Sequence, residues 1–228
     1  MARTATSPPR IPLFRHLSAA RAARILAIAK ARRYRKGQTL FRQGERADAV
    51  WIVLDGWVHL VRADHPSDRA HAVVLFTITP REVLCGVSAI EPGSYTASGV
   101  AGADSRALRI PAAVFHDALT HEPAFAYQVL RLCAERIRRV AEQYGVMAEP
   151  VSKRVVRTLL RLQQQFGHTL PVTHRELAQM SWTTTESAIR AVRKLKRHGY
   201  VHGTRGRLTI RKLKALTGLL AASNGAGG

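Results

Sequence analysis

From about residue 37 the chain is built from short apolar runs that contain many β-branched residues. Gly, Pro and Asp separate the runs, and this pattern predicts short strands joined by turns. Asp55-Gly56 lies between two of them, and an Asp-Gly pair in that place is typical of a two-residue hairpin. The pattern therefore predicts an all-β sandwich or roll. The runs are TLFRQG, AVWIVL, WVHLV, AVVLFTI, TASGVAG and SRALRI.

Three segments have the composition or the spacing of helices. Residues 18–31 are rich in Ala and predict a short helix with Ser18 as its cap. After Pro123 the apolar residues recur every three or four positions, which predicts one long helix that ends before Pro150. Residues 151–166 repeat the helical spacing and predict a second amphipathic helix.

The long helix carries a single apolar stripe with a seven-residue repeat, flanked by charged residues. Contact with the core of the same chain accounts for many stripes of this kind. A long helix between two domains nevertheless needs a partner for its stripe. A second copy of the chain is the economical partner, so we predict a parallel homodimer. The predicted dimer seam consists of Ala126, Leu130, Cys133, Ile137, Val140, Tyr144 and Met147.

Two capping-box patterns follow, each with a threonine three residues before a glutamate. The first begins at Thr173, and the second begins at Thr183 and opens a helix that runs to Gly199. Ser181-Trp182 breaks the chain between them. Two capped helices joined by a tight turn predict a helix-turn-helix. Residues 200–210 then have the pattern of a β-hairpin with a basic tip, which is typical of the wing in a winged helix.

The charge of the chain favours a polyanionic partner. Its 228 residues include 36 Lys plus Arg against 15 Asp plus Glu, a net charge of +21. Fifteen of the basic and three of the acidic residues fall in residues 149–228, around the helix-turn-helix. Such an excess favours nucleic acid first and an acidic membrane surface second. General basicity of an Arg-rich composition explains the total better than it explains the uneven distribution.

The composition also excludes several classes of protein. Two cysteines, Cys85 and Cys133, cannot build a disulfide framework or a four-thiolate zinc or iron–sulfur site within one chain. They fit a reducing cytosol, so we expect a cytoplasmic protein. No apolar run approaches the length of a membrane span. No nucleophile elbow, phosphate-loop lysine, carboxylate cluster or metal-spaced His/Cys set indicates an enzyme.

In a helix-turn-helix, the N-terminal residues of the second helix lie against base edges in the major groove. Small hydroxyl side chains permit close approach, an arginine can donate to guanine, and a glutamate can accept from a cytosine amino group. We expect base contacts from Thr184, Thr185, Glu186, Ser187 and Arg190. We expect DNA-backbone contacts from Thr173, Arg175, Thr183, Lys194, Arg197, Arg205 and Arg207.

From about Leu13 to Leu220 the chain resembles the bacterial cyclic AMP receptor protein/FNR (Crp/Fnr) family of transcription regulators. LFRQGERADAVWIVLDGWVHLV is similar to the core of that family's cyclic-nucleotide-binding β-roll, and HRELAQMSWTTTESAIRAVRKLKRHGYV to its helix-turn-helix. The resemblance implies an α+β fold with a sensory β-roll (jelly roll) over residues 13–122, a dimerisation helix over 123–149 and a winged helix-turn-helix over 150–220. It also implies double-stranded DNA, a second copy of the chain and RNA polymerase as partners.

The effector pocket departs from the family pattern. In members that bind cyclic AMP, a Gly-Glu pair takes the ribose hydroxyl and a later Arg-Ser pair takes the phosphate. The corresponding positions here are Gly86-Val87-Ser88 and Tyr95-Thr96, and the adenine-contacting place falls near Arg139-Val140. An anionic phosphodiester buried without an arginine would be costly. We therefore expect an effector other than cyclic AMP and a degenerate pocket that includes Gly86, Val87, Ser88, Tyr95, Thr96 and Arg139.

We expect no cofactor, and alternative mechanisms of sensing stay open. Iron–sulfur sensing is excluded because it needs four thiolates and the chain has two cysteines. Haem sensing stays open because four histidines lie in or beside the roll and Cys85 lies in the cassette; they are His59, His65, His71 and His116. A regulator without any effector is the other alternative, with Tyr95 and Val87 filling the pocket. The alternative function is a basic protein that binds RNA or DNA through charge alone.

Overall fold

The computed structural model describes residues 11–63, 72–84, 90–91, 93–204 and 206–221, with only the backbone at 143, 144 and 221. Within these residues, eight strands of the N-terminal part form two four-stranded sheets. Their orders are β1-β8-β3-β6 and β2-β7-β4-β5. Each of the six apolar runs contains one strand, as predicted. β1 and β6 were not predicted, because β1 is the largely exposed KARRY and β6 has two residues. The strands are β1 Lys30–Tyr34, β2 Thr39–Phe41, β3 Ala49–Asp55, β4 Val58–Arg62, β5 Val73–Ile78, β6 Val83–Leu84, β7 Ser98–Ala101 and β8 Ser105–Pro111.

The turn at Asp55-Gly56 carries the chain from one sheet to the other, so the predicted hairpin is wrong. β3 pairs with β8, where Val50 lies opposite Ile110, whereas β4 pairs with β7 in the second sheet. Gly56 has a φ of +71°, and a Cβ there would lie 2.5 Å from the carbonyl oxygen of Asp104. An Asp-Gly turn specifies a sharp local reversal. The strand that pairs is decided by the burial of apolar faces that lie far apart in the sequence.

β3 separates two apolar cores, and its residues from Ala49 to Val53 are all buried. Successive side chains of a strand point to opposite faces of the sheet. Val50 and Ile52 therefore join one core with residues of the helices, and Trp51 and Val53 join the other core inside the roll. This double burial explains why the run AVWIV is continuously apolar rather than alternating.

Three helices belong to the N-terminal part. They are α1 Ala19–Ile28, α2 Ala112–His121 and α3 Pro123–Met147, and a 3-10 turn over Pro12–His16 precedes them. The helix predicted over residues 18–31 ends earlier, because Lys30 already pairs with Arg109 as part of β1. The Ser18 hydroxyl does not cap α1, and it donates instead to the Glu122 carboxylate at 2.5 Å. α2 was not predicted.

The chain divides into two compact units, and the division falls inside α3 after Arg139. The second unit contains the predicted helix-turn-helix and wing, and it also has β9 and α7, which were not predicted. Its strands have the order β10-β11-β9. Gly167 and Gly199 follow helix ends with positive φ, as expected of helix stops. The elements are α4 Val151–Phe166, β9 Thr169–Leu170, α5 His174–Met180, α6 Thr185–Arg197, β10 Val201–Thr204, β11 Arg207–Ile210 and α7 Leu213–Ala221.

Candidate nucleic-acid interface and sensory region

The predicted capping box at the start of α5 is present. The backbone N–H of Glu176 donates to the Thr173 hydroxyl at 3.2 Å, and the Glu176 carboxylate accepts from the Thr173 backbone N–H at 2.7 Å. The Thr173 hydroxyl also donates to this carboxylate at 2.8 Å. These reciprocal bonds satisfy backbone donors that the first helical turn leaves unpaired. They hold Arg175 on the exposed side of the first turn of α5.

The predicted second capping box is absent, and the helix begins one residue later than predicted. The N-cap of α6 is Thr184, whose hydroxyl accepts from the backbone N–H of Ser187 at 3.3 Å. Thr183 belongs to the preceding turn, since its own N–H donates to the carbonyl of Ala178 at 3.0 Å. Glu186 is therefore the second residue of α6, and its carboxylate is not in the position that closes a capping box.

The turn between α5 and α6 is held by α4, through contacts that sequence reasoning missed. Trp182 has a φ of +51°, which is unusual for a bulky residue. Arg154 donates from Nη1 to the Trp182 carbonyl at 2.6 Å. The buried Ser181 hydroxyl donates to the buried Thr158 hydroxyl at 2.9 Å. The sequence signal that could have indicated these contacts is Thr158, a polar residue on the apolar face of α4, where Val155 is also buried.

The start of α6 presents a polar face at three-residue spacing, which is one side of a helix. Arg190 donates from Nη2 to the Ser187 hydroxyl at 2.9 Å, and the Thr184 hydroxyl donates to the same oxygen at 3.2 Å. Glu186 is exposed next to this face. The hydrogen bond from its own backbone N–H lowers the pKa of the Glu186 carboxyl, with further lowering by the Thr184 hydroxyl and the Arg190 charge. The carboxylate is therefore ionised at neutral pH.

The other predicted DNA contacts lie on the same helix-turn-helix and on the wing. Thr183 and Thr185 are half-buried. The basic residues that follow α5 and were predicted to contact the DNA backbone are exposed where the structure describes them, at Lys194, Arg197 and Arg207. Arg205 lies outside the described residues. Lys196, on α6, donates to the carbonyl of Gly203 at 3.0 Å and so links α6 to the wing strand β10.

In the N-terminal β-roll, Tyr95 lies in the interior core. Its ring centroid is 4.3 Å from that of Phe41, and the residue is 4% exposed. Its hydroxyl accepts from the Ala49 N–H at 3.2 Å and donates to the Ala49 carbonyl at 3.1 Å. Thr96, the next residue, is exposed. The predicted pocket residues Gly86, Val87 and Ser88 lie outside the described residues.

Two arginines of α3 contact strand β6 and the turn before it. Arg136 donates to the carbonyl of Val83 in β6, and Arg139 lies 3.9 Å from the carboxylate of Glu82. The Glu82 carboxylate also accepts from the Thr79 backbone N–H at 2.6 Å. Arg139, which the sequence placed in the degenerate pocket, is thus half of an ion pair with the turn before β6.

Three of the six described side chains of the predicted dimer seam are exposed on the surface of α3. Leu130, Ile137 and Met147 are 64%, 70% and 46% exposed. Phe125 and Val129 are buried against the helical core instead. Since each residue turns an α-helix by about 100°, the core-facing side and the seam are adjacent but different sides of α3. The remaining seam residues Ala126, Cys133 and Val140 are half-buried, Cys133 packs against the helical core, and the side chain of Tyr144 lies outside the described residues.

The histidines considered for haem are not gathered in the described part of the roll. His59 is buried, with Nδ1 3.1 Å from the Thr77 hydroxyl, and His116 is exposed on α2. His65, His71 and Cys85 lie outside the described residues. Over the described ranges, no three His, Cys, Asp or Glu side chains are placed to hold a metal ion. Within the same ranges, no helix has the length and hydropathy needed to cross a bilayer.

A β-roll followed by a long helix and a winged helix-turn-helix defines the class of two-part DNA-binding regulators. The cyclic nucleotide-binding domain model matches residues 31–122, and the Crp-like helix-turn-helix domain model matches residues 153–219. The chain belongs to the Crp/Fnr family of transcription regulators. Members of this family regulate transcription and are not enzymes.

Known proteins are similar over most of this chain. The "Cyclic AMP receptor protein" of Thermus thermophilus is 27% identical over 207 residues, which cover 90% of this chain and 94% of that protein. The "CRP-like cAMP-activated global transcriptional regulator" of Mycobacterium tuberculosis is 27% identical over 73% of this chain and 77% of its own. The solved structure of the c-di-GMP responsive global regulator CLP of Xanthomonas campestris shares the fold, with a TM-score of 0.72, 21% identity, and coverage of 85% of this chain and 99% of that chain.

Proposed function

We propose that the chain is a sequence-specific regulator whose α6 reads base edges in the major groove of a palindromic DNA site. The observation that carries this proposal is the polar face of Thr184, Ser187 and Arg190 beside an exposed, ionised Glu186. An arginine offers paired donors to guanine, whereas a carboxylate accepts from the amino group of cytosine. Together with Thr185, these side chains supply both a donor and an acceptor for base recognition.

Basic residues around this face supply affinity in the same proposal. Lys194, Arg197 and Arg207 are exposed, as is Arg175 at the start of α5. We assign them to phosphate contacts, together with Thr173, Thr183 and Arg205. Contacts of this kind fix the position of the protein on DNA and make the affinity fall steeply with salt.

The protein is proposed to act as a homodimer. Leu130 and Ile137 lie seven residues apart on one side of α3, and both are more than half exposed. An exposed apolar stripe with this repeat fits the same stripe of a second copy. A two-fold dimer presents two copies of α6, which explains why the DNA site is proposed to be palindromic. RNA polymerase is the further partner expected of such a regulator. The regulator itself is expected to act in the cytoplasm.

The sensory roll is proposed to respond to something other than cyclic AMP. Tyr95 occupies the position of the phosphate-binding arginine in the resemblance, and its hydroxyl is already bonded to β3. The related fold from Xanthomonas campestris is described as c-di-GMP responsive, so cyclic nucleotides other than cyclic AMP are worth testing. Calorimetric titration with cyclic AMP is expected to give no binding signal. Micromolar binding of cyclic AMP would overturn this part of the proposal.

Binding of RNA or DNA through charge alone is the second candidate function, and the net charge of +21 favours it. The experiment that separates the two is in-vitro selection of random duplex DNA at near-physiological salt, first with no effector added and then with added nucleotides. Enrichment of a two-fold symmetric site supports the dimeric sequence reader. Equal recovery of all sequences, with strongly salt-sensitive binding both without and with added nucleotides, supports the charge-only candidate instead.

A further inference from the structure

Ser187 and Arg190 are joined by a hydrogen bond on the face proposed to read DNA. The bond runs from Nη2 of Arg190 to the Ser187 hydroxyl and is 2.9 Å long. Arg190 is exposed, whereas Ser187 is half-buried and is anchored through its backbone N–H to the N-cap Thr184. The flexible arginine is thus attached to a residue that the helix cap already holds in place.

We propose that Ser187 is a positioning residue for Arg190, and that it acts on base recognition through the orientation of the guanidinium. This inference rests on the proposed sequence-reading function. The hydrogen bond directs Arg190 towards the N-terminal end of α6, which is the end that meets base edges in a helix-turn-helix. A guanidinium has five N–H donors, so one bond to Ser187 leaves others for the two acceptors of a guanine edge.

The physical benefit of this arrangement is pre-organisation. An unrestrained arginine loses considerable side-chain entropy when it is fixed on a base. A guanidinium that is already oriented in the free protein loses less on binding, and this raises the preference for the cognate base. Removal of the Ser187 hydroxyl should therefore weaken discrimination at the base that Arg190 reads more than it weakens binding to DNA in general.

The orientation is tested first in the protein without DNA. Order of the Arg190 Nε–H group is measured by ¹⁵N relaxation in the full-length protein and in the Ser187→Ala and Ser187→Thr variants. The expected result is increased motion of Arg190 in Ser187→Ala and motion close to wild type in Ser187→Thr, which keeps the hydroxyl. Arg193 is exposed on the same helix and serves as the internal reference. Unchanged order of Arg190 in Ser187→Ala overturns the proposal, whatever the protein binds.

The expected effect of Ser187 on base discrimination is tested by DNA binding in a double-mutant cycle. Arg190→Ala first identifies the base pair whose preference depends on Arg190. At that base pair, Ser187→Ala is expected to lower discrimination about threefold or more, and to have little further effect in the Arg190→Ala background. An equal loss on all sequences would make Ser187 a phosphate contact and overturn the positioning role. Equal loss on all sequences by Arg190→Ala is a different result, which contradicts the proposed base-reading function itself.

Discussion

Arg154 in α4 donates a 2.6 Å hydrogen bond to the main-chain carbonyl of Trp182, the residue with left-handed backbone in the helix-turn-helix turn. The bond spans 28 residues of sequence. It lies beside the buried pair of Thr158 and Ser181, so two contacts connect α4 to the same turn. The angle at which α6 leaves this turn determines where its reading face points. α4 therefore helps to position the helix that is proposed to read DNA, although none of its residues is among the predicted DNA contacts.

Arg154→Ala is expected to destabilise the helix-turn-helix. The Trp182 carbonyl would lose a charged donor, and hydrogen bonds to charged groups contribute about 1.5–3 kcal/mol. Thermal unfolding of the full-length protein measures the effect. Arg197→Ala is the control, because Arg197 is exposed at the end of α6 and its removal should change stability by less than about 0.5 kcal/mol. Equal melting temperatures for the two variants would contradict the assignment.

Thr158→Val is expected to cost about 1–3 kcal/mol of unfolding free energy, because it leaves the buried Ser181 hydroxyl without its acceptor. Ser181→Ala removes the other side of the same contact. The double variant should be less destabilised than the sum of the two single variants, since both polar groups are then gone. Urea unfolding of the four proteins measures this coupling. Strict additivity would show that the two hydroxyls do not interact.

Tyr95→Phe is expected to lower stability by about 1 kcal/mol, because the Ala49 backbone N–H and carbonyl lose their bonds to the phenol while the apolar ring stays. Tyr127→Phe is the matched control, since Tyr127 is 61% exposed on α3 and should be nearly neutral. Differential scanning calorimetry of both variants gives the comparison. A neutral effect of Tyr95→Phe would mean that the buried hydroxyl adds nothing to the roll.

Ile137→Glu is expected to convert the proposed dimer into monomers, because it places a charge in the middle of the proposed apolar seam. The variant should still fold, since Ile137 is 70% exposed within its own chain. Sedimentation velocity reports the association state, and circular dichroism reports the fold. Tyr127→Glu is the control for an exposed apolar residue off the seam. A dimer that persists in Ile137→Glu, or a wild-type monomer, would refute the seam.

The pair of Glu149 and Arg157 is expected to stabilise the protein at neutral pH and to lose its effect in acid. Arg157 donates to both carboxylate oxygens of Glu149, at 2.8 and 2.6 Å, and these bonds lower the pKa of Glu149 below its ordinary value of 4.5. A lowered folded-state pKa gives stability that is present above pH 4.5 and disappears as the pH falls through the folded value. The contribution is about 1 kcal/mol or less, because Arg157 is largely solvated.

The comparison for this pair is the difference in melting temperature between wild type and Glu149→Gln from neutral to acidic pH. The difference should be constant near pH 7 and should shrink as the carboxylate of the wild type becomes protonated. Glu135→Gln is the control, since Glu135 lies 3.8 Å from Arg131 on the surface of α3 and makes a weaker contact. A difference that grows on acidification would have the opposite sign to the one expected.

The sequence by itself determined the features that depend on neighbours along the chain. The periodicity of residues 151–166 placed α4, and Thr173 with Glu176 placed the start of α5, because helical spacing and capping bonds join residues only a few positions apart. The glycines after α4 and α6 marked their ends for the same reason. The order of these elements, together with the resemblance to the Crp/Fnr family, predicted the fold and the position of α6.

The tertiary structure decided what depends on residues distant in sequence. β3 pairs with β8 and not with its neighbour β4, because apolar burial on both faces outweighs the local turn signal at Asp55-Gly56. The contact of Arg154 with Trp182 spans 28 residues, and that of Tyr95 with Ala49 spans 46. No local sequence pattern predicts either contact. The cap of α6 is different, because a local bond decides it: the Thr183 N–H donates to the carbonyl of Ala178, five residues earlier, and Thr184 is left to begin the helix. Local hydrogen bonds and spacing thus predict where elements form, whereas the free energy of packing decides which of them meet.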